Sequence, residues 1–166
     1  MKIFFRFLSV ICLLLSLMSC DEGKPVIAYS PQTLSNPFFT VIADHMREEA
    51  EKNGYDLLVM DPDMDVKKQS DQIDDFIAKG VRAIVLVPVD RISIGPAVRE
   101  ANVAGIPVFT VDAKCAAEGT DIEGHVGTDN FQGGELAGKA MIEALGEEGG
   151  EAVSYTHLTL PTNREV

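Results

Sequence analysis

Short apolar runs recur along the chain from Pro25 onwards, and an amphipathic stretch follows most of them. Near-continuous hydrophobicity over four or five residues is typical of strands in a parallel sheet whose two faces are both covered. The predicted strands are residues 26–29, 57–60, 83–87, 108–111 and, with a weaker pattern, 124–127.

The stretches between these runs carry apolar residues at helical spacing and have recognisable ends. Asn36 is suited to the N-cap of the first helix, Pro37 to its first turn and Gly54 to its end. Its predicted buried stripe is Phe39, Ile42, Met46 and Ala50. Further helices are predicted over 66–79, 94–103 and 134–145, the last with Leu136, Ala140, Met141 and Leu145 inward. The alternation of strand and helix predicts an α/β fold with a doubly wound parallel sheet.

The pattern of the N-terminal residues is typical of a targeting signal. Lys2 and Arg6 precede an apolar run over 7–18, which has the length of a signal-peptide core and is too short to span a bilayer as a helix. The sequence Leu-Met-Ser-Cys over 17–20 resembles the lipobox of bacterial lipoproteins, in which the cysteine is lipidated after cleavage before it. We therefore expect a signal peptide over 1–19, lipidation at Cys20 and a short tether over 20–24. An ordinary secretory signal or an uncleaved anchor is the alternative.

Charge and cysteine content narrow the function classes. The chain of 166 residues has a net charge of −12, so it repels nucleic-acid phosphates and a nucleic-acid partner is not expected. Of the three cysteines, Cys12 would leave with the signal and Cys20 would carry lipid, which leaves Cys115 without a disulfide partner. His45 and His125 lack the spacing of metal ligands, and we expect both to be structural and no cofactor to be required.

Polar side chains follow each predicted strand. In an open parallel sheet the carboxyl ends of the strands share one edge, and ligands bind in the crevice beyond it. We therefore expect a rim of carboxylates, amides and two phenylalanines at this edge. The segments that form it are 32–39 after the first strand, 61–63, 88–91, Asp112 after the fourth strand, and 128–130 after the fifth.

The rim has the chemistry that a small sugar requires. Carboxylates accept charge-assisted hydrogen bonds from hydroxyls, amides donate and accept, and an aromatic ring covers an apolar C–H face. Asp112 is the strongest candidate for a ligand-binding residue, because it ends a buried strand and has no local basic partner in the sequence. A plain loop acid is the alternative.

The other rim residues have structural interpretations that stay open. Asn36 is expected to cap its helix and to contact ligand as well, since the two roles are compatible. At least one of Phe38 and Phe39 is expected in the core. Thr128 and Asp129 are suited to capping the following helix as well as to binding. The acids Asp61 and Asp63 are expected to shape a turn.

Residues 25–153 resemble the ribose-type family of periplasmic binding proteins, the substrate-binding subunits of ATP-driven sugar importers. The resemblance is carried by Asn-Pro-Phe-Phe at 36–39, Gly-Ile-Pro-Val at 105–108, Val-Asp at 111–112, and Thr-Asp-Asn at 128–130 followed by Gly-Gly at 133–134. It implies two α/β lobes joined by a hinge that closes over a small monosaccharide, ribose or a related sugar. The ligand-binding residues that the resemblance implies are Asn36, Phe38, Phe39, Asp112 and Thr128. Asp129, a polar residue of the rim, is a further candidate for ligand binding.

Two departures from the family pattern favour a related sugar over ribose itself. Gln32 stands where ribose binders carry a small hydroxyl residue, and Ala113 stands where they carry an arginine. The resemblance divides the chain into a first lobe over 25–127 and a hinge crossing with the start of a second lobe over 128–153. Residues 154–166 end the pattern abruptly and are expected to be a non-native tail.

The resemblance implies the permease of an ABC importer as protein partner, a monomeric state, and a position in the periplasm or at the outer face of the cytoplasmic membrane. A periplasmic sugar sensor for a chemoreceptor or histidine kinase is the alternative. A repressor of the lactose type would need a DNA-binding motif where this chain has its signal. An enzyme is not expected, because the sequence shows no phosphate loop and no nucleophile–base pattern.

Overall fold

The computed structural model describes residues 23–146 and 149–151, and five strands in this part of the chain form one sheet. The strands are β1 (Val26–Ser30), β2 (Asp56–Val59), β3 (Ala83–Leu86), β4 (Val108–Val111) and β5 (Gly124–Val126). They lie in the order β2-β1-β3-β4-β5, and each neighbouring pair is parallel. The predicted fold class is therefore confirmed, and the predicted strand ends differ from the observed ones by at most one residue.

Four helices connect or follow these strands in the described residues: α1 (Pro37–Lys52), α2 (Val66–Lys79), α3 (Gly95–Val103) and α4 (Asn130–Leu145). The predicted N-cap of α1 is confirmed, since the Asn36 side chain accepts a hydrogen bond from the Phe38 N–H. Asp65 caps α2 in the same way, and Gly80 ends that helix in the left-handed conformation with φ 65°.

The core lies on both faces of the sheet because side chains alternate along each strand. One face packs α2 and α3 against the sheet, with Phe76, Ile84 and Val98 fully buried. The other face packs α1 against the sheet through Phe39 and Ala43. Of the predicted α1 stripe, Phe39 and Ala50 are buried and Ile42 and Met46 are partly buried.

The chain divides into two compact units between Gly127 and Thr128. The first unit holds the sheet with α1 to α3, and the described part of the second unit holds α4 and no strand. The predicted start of α4 at residue 134 is wrong by four residues, because Asp129 caps the helix earlier.

The predicted inward face of α4 is also wrong. Leu136 is 60% exposed and Met141 46% exposed, Ala140 is exposed, and Leu145 is partly buried. The physical reason is that the described part of the second unit contains no sheet on which this face could pack.

No helix within residues 23–146 and 149–151 is long and apolar enough to cross a membrane. The predicted signal peptide over 1–19, Cys20 and the predicted tail over 154–166 lie outside the described residues.

Candidate ligand-binding site

The strand order reverses between β1 and β3, and this reversal marks where a ligand crevice is expected. The helix after β1 packs on one face of the sheet and the helix after β3 packs on the other. The loops that leave these two neighbouring strands therefore diverge and open a crevice at the carboxyl edge.

A cavity of about 420 Å³ opens at this edge. Its walls come from the loops after three strands, so it lies where the sheet topology places a ligand. The lining residues are Gln32 after β1, Pro88, Val89, Asp90, Arg91 and Ile92 after β3, and Ala113 and Ala116 after β4.

A larger groove of about 590 Å³ lies elsewhere, on the surface between α2 and α3. Ile77, Arg99 and Val103 are among its lining residues, and none of its lining residues belongs to a loop at the carboxyl edge. Size alone therefore does not identify the ligand site in this unit.

The start of α1 places an amide and an aromatic ring at the carboxyl edge. Asn36 Oδ1 accepts a hydrogen bond from the Phe38 N–H at 3.0 Å, so the cap occupies the oxygen and leaves the amide N–H donors. The Phe38 ring is 52% exposed. Phe39 is only 4% exposed, which confirms that at least one of the two rings belongs to the core.

The two rings support each other. Their centroids lie 5.2 Å apart with an interplanar angle of 69°, an edge-to-face contact. Since Phe39 is fixed among the core residues Tyr29, Ala43 and Val87, it holds the exposed Phe38 ring in place.

Asp112 directly follows β4 and has the left-handed backbone conformation, with φ 62°. Its backbone N–H stays paired with β5 by donating to Val126 O at 2.8 Å. Its carboxylate accepts no hydrogen bond and forms no ion pair with any residue that the structure describes. The strand end is thus fixed while the charged group stays available.

Gly127 follows β5 and lies close to the same strand end. A Cβ atom at this position would lie 2.6 Å from His125 Nε2 and 3.0 Å from the Asp112 carbonyl oxygen. His125 is itself held by a 2.9 Å contact between its Nδ1 and Thr110 Oγ1, which supports the structural role expected for it. Only glycine fits beside Asp112 without displacing the ring or the backbone.

Two other acids of the rim hydrogen-bond to their own loops. Asp61 Oδ1 accepts from the Asp63 N–H at 2.8 Å, so the predicted turn is confirmed. Asp90 Oδ1 accepts from the N–H groups of Ser93 at 2.7 Å and Ile92 at 3.0 Å. These bonds hold the pKa of Asp90 below its ordinary value, and the bond from Ser93 makes the largest contribution.

A buried glutamine fastens the two loops that form the crevice. Gln69 on α2 is 0% exposed, and its Nε2 lies 3.0 Å from both Pro31 O and Val87 O, which follow β1 and β3. Its Oε1 accepts from the Val89 N–H at 2.9 Å. Because these backbone groups have no sheet partner beyond the strand ends, Gln69 satisfies them and sets the spacing of the loops.

Sequence reasoning missed Gln69, although a signal was present. One helical stripe contains Gln69, Ile73 and Phe76, so a polar side chain occupies a position in the sequence where the pattern predicts a core residue.

Two residues that line the cavity are also absent from the ligand-binding residues predicted from the sequence. Gln32 donates from Nε2 to Pro88 O at 2.8 Å, and Arg91 donates from Nε to Lys114 O at 2.8 Å, which leaves its other N–H groups for the cavity.

Thr128 and Asp129 belong to the second unit, whereas the residues described above belong to the first. Thr128 is exposed. Asp129 Oδ1 accepts from the Gln132 N–H at 3.0 Å, which confirms the capping role open to it and leaves its second oxygen outside the cap.

The remaining candidates are unremarkable in the described residues. Cys115 is free and partly buried, with its Sγ 3.8 Å from Thr120 Oγ1. No group of three or more histidine, cysteine or acidic side chains suited to a metal occurs in residues 23–146 and 149–151.

Comparison with known proteins gives relatives in sequence. The chain is 37% identical over 129 residues to the ribose import binding protein of Bacillus subtilis (strain 168), a match of 78% of this chain and 42% of that protein. It is 38% identical over 128 residues to the D-apiose import binding protein of Paraburkholderia graminis, covering 77% of this chain and 41% of that one. The chain therefore spans less than half the length of these two relatives.

Solved structures give the same picture. An ABC transporter solute binding protein from Mycobacterium smegmatis with bound glycerol matches with a TM-score of 0.70 and 36% identity, over 77% of this chain and 43% of that one. A periplasmic solute binding protein from Actinobacillus succinogenes with bound D-allose matches with a TM-score of 0.68 and 34% identity, over 75% and 46%.

The family model described as a periplasmic binding protein domain matches residues 27–166. This range covers most of the chain and includes the whole sheet except Val26, the first residue of β1. The chain therefore belongs to the periplasmic binding protein domain family.

Proposed function

We propose that the chain is the first lobe, with the start of the second, of the substrate-binding subunit of an ABC-type importer for a small monosaccharide, ribose or a related sugar. The observation that carries this proposal is the Asp112 carboxylate, which has no partner among the described residues. Asp112 directly follows β4 and directly precedes Ala113, a lining residue of the cavity at the point where the strand order reverses. The subunit binds and releases its ligand without chemistry and needs no cofactor.

Each residue of the proposed site makes a different kind of contact with the sugar. Asp112 accepts hydrogen bonds from two neighbouring sugar hydroxyls, and the free amide N–H groups of Asn36 donate to sugar oxygens. Phe38 covers an apolar C–H face of the sugar. Phe39 supports the Phe38 ring, and only the small exposed edge of the Phe39 ring, 4% of the residue, is available to contact the sugar. Thr128 and Asp129 contribute from the hinge crossing when the second lobe closes.

The names of the relatives favour transport over the sensing alternative. The two sequence relatives are import binding proteins, for ribose and for D-apiose, and the solved relatives are solute binding proteins of ABC transporters. The proposed protein partner is accordingly the permease of such a transporter, and the proposed binding subunit is a monomer in the periplasm or at the outer face of the cytoplasmic membrane.

The proposed full-length protein continues beyond Val153 into a second lobe, in place of the tail over 154–166. Relatives that are more than twice as long as the matched region support this extension. The match of the family model runs through residue 166, so the non-native tail stays a prediction.

Attachment to the membrane through a lipid on Cys20 is a separate proposal, supported by the Leu-Met-Ser-Cys sequence after the apolar run. A diacylglyceryl thioether and an N-acyl chain provide the multiple anchors that stable attachment requires. Expression with a labelled fatty acid should label the wild type and leave the Cys20→Ala variant unlabelled. Equal labelling of the two proteins would contradict the proposal.

Calorimetry with a panel of pentoses and hexoses tests the binding function. The full-length protein should bind one of the sugars stoichiometrically, and the 166-residue chain should bind the same sugar poorly, because half of the cleft is missing from it. Absence of binding by the full-length protein to every sugar of the panel would overturn the proposed function. Tight binding by the 166-residue chain would overturn the two-lobe site.

A further inference from the structure

Among the side chains that the structure describes, the Tyr29 hydroxyl is the one buried polar group without a hydrogen-bond partner. The residue is 0% exposed, and its hydroxyl makes no hydrogen bond. A buried hydroxyl without a partner is destabilising because it loses its hydrogen bonds to water on folding, whereas a phenylalanine of nearly the same shape would avoid this cost. A tyrosine at this position therefore calls for an explanation.

The neighbouring polar residue shows that the fold can satisfy such groups. Ser30 is also 0% exposed, but its hydroxyl donates to Gln72 Oε1 at 3.0 Å on the opposite face of the sheet. Of these two neighbouring hydroxyls of β1, only that of Tyr29, on the face of the sheet that packs against α1, lacks a partner.

The surroundings of Tyr29 connect it to the proposed site. It packs in the cluster that contains Phe39, and Val111 and Ala113, the residues on either side of Asp112, pack against the same cluster. Tyr29 thus belongs to the same cluster as the ring that supports Phe38, and both chain neighbours of Asp112 pack against that cluster.

The electrostatics agree with this placement. Burial raises the pKa of Tyr29 above its ordinary value, and the negative charge of Asp112 raises it further. The hydroxyl therefore stays protonated and is a donor, while the Asp112 carboxylate is an acceptor without a partner among the described residues.

We propose that Tyr29 is a positioning residue of the sugar site: in the ligand-bound protein its hydroxyl donates a hydrogen bond, directly or through one ordered water, to the Asp112 carboxylate. The bond orients the carboxylate toward the sugar and satisfies the hydroxyl. This inference rests on the proposed function, because it concerns the carboxylate that is assigned to the ligand.

The test compares Tyr29→Phe with the wild type in the full-length protein, using the sugar of the panel that binds best. The variant removes one oxygen from a buried site, so it should fold and unfold at the same or a higher temperature without ligand. Its affinity for the sugar should fall about threefold to tenfold, as expected for the loss of one hydrogen bond. Tyr55→Phe is the matched control, since Tyr55 lies at the opposite edge, beside the start of β2.

A double-mutant cycle with Asp112→Asn identifies what the hydroxyl acts on. If it acts through the carboxylate, Tyr29→Phe should weaken binding in the wild type and have little further effect in Asp112→Asn. A tyrosine difference spectrum on adding sugar should contain a component that is absent from Tyr29→Phe and present in Tyr55→Phe.

The outcomes separate the inference from the proposed function. Affinity of Tyr29→Phe equal to that of the wild type would overturn the inference and leave the proposed function in place. An equal loss in both backgrounds would also overturn it, since the hydroxyl would then act independently of Asp112. A wild type that binds no sugar of the panel would overturn the proposed function and the inference with it.

Discussion

The loops after β2 and β4 place an aspartate at the same edge of the sheet, yet the two side chains are in different states. Asp61 accepts a hydrogen bond from the Asp63 N–H two residues later, and the loop continues through two non-glycine residues with positive φ, Asp63 and Met64. The carboxylate of Asp112 has no partner among the described residues, and its loop is fixed by backbone pairing to β5.

The difference shows how a fold keeps one charged group available for a ligand. Where the backbone of a loop turns away from the sheet, its N–H groups need acceptors, and a nearby carboxylate serves them. Where a neighbouring strand supplies those acceptors, as Val126 O does for the Asp112 N–H, the side chain has no structural task. Asp112 is therefore the better candidate for ligand binding.

The largest expected effect comes from removing the residue that holds the edge in place. Gln69→Leu would strand Pro31 O, Val87 O and the Val89 N–H in a buried environment. At about 1–3 kcal/mol for each buried group left without a partner, we expect the free energy of unfolding to fall by roughly 3 kcal/mol or more. Urea denaturation of the full-length protein measures this.

The matched control is Gln72→Leu on the same helix. Gln72 is also buried, but its side chain accepts one hydrogen bond, from Ser30, so its removal should destabilise the protein by only about 1 kcal/mol. Equal losses for the two variants would contradict the special role of Gln69 in joining the loops.

The second effect concerns the two aspartates themselves. Asp112→Asn keeps the size of the side chain but removes its charge and one acceptor. Hydrogen bonds to charged groups contribute roughly 1.5–3 kcal/mol, so the affinity for the sugar should fall about tenfold to a hundredfold or more. Calorimetric titration of the full-length variant measures the change, after confirmation that it melts near the wild type.

Asp61→Asn is the control for that titration, because its side chain still offers an oxygen to the Asp63 N–H and is already engaged in the turn. Its affinity should stay within about twofold of the wild type, roughly 0.4 kcal/mol. If Asp112→Asn also stays within this range, the assignment of the carboxylate to the ligand fails.

The third effect tests whether the strand end must be rigid. Gly127→Ala would place a Cβ atom 2.6 Å from the His125 ring and 3.0 Å from the Asp112 carbonyl oxygen. Such crowding costs about 1–3 kcal/mol, so the melting temperature should fall and sugar binding should weaken although every polar group is kept. Gly133→Ala, in α4 with no atom near its added Cβ, should be neutral or stabilising. A neutral Gly127→Ala would contradict the argument for glycine.

The sheet and helices could be predicted from sequence because their signals are local. The apolar runs of β1 to β5 and the cap of α1 each lie within a few residues, and their positions are confirmed almost to the residue. The inward face of α4 was predicted wrongly because its packing depends on other parts of the chain, which local periodicity does not report.

The state of the rim could be predicted only in part. The turn at Asp61 follows from an interaction over two residues, and it was expected. The contacts of Gln69 connect positions 18 and 38 residues apart, and the packing of Val111 and Ala113 against the cluster of Tyr29 joins β1 to the end of β4. Such contacts depend on strand order, which a single sequence does not reveal.

The smallest expected effect concerns Asp90, an exposed acid whose pKa is lowered by hydrogen bonds from Ser93 and Ile92. A carboxylate with a lowered folded-state pKa adds stability above its unfolded pKa, near 4, and loses it as the pH falls through the folded value. The melting temperature of the wild type should therefore fall more steeply below about pH 4 than that of Asp90→Asn. Asp75→Asn, which removes an exposed acid of α2, is the control. Parallel curves for the wild type and Asp90→Asn would show that these bonds contribute nothing to stability.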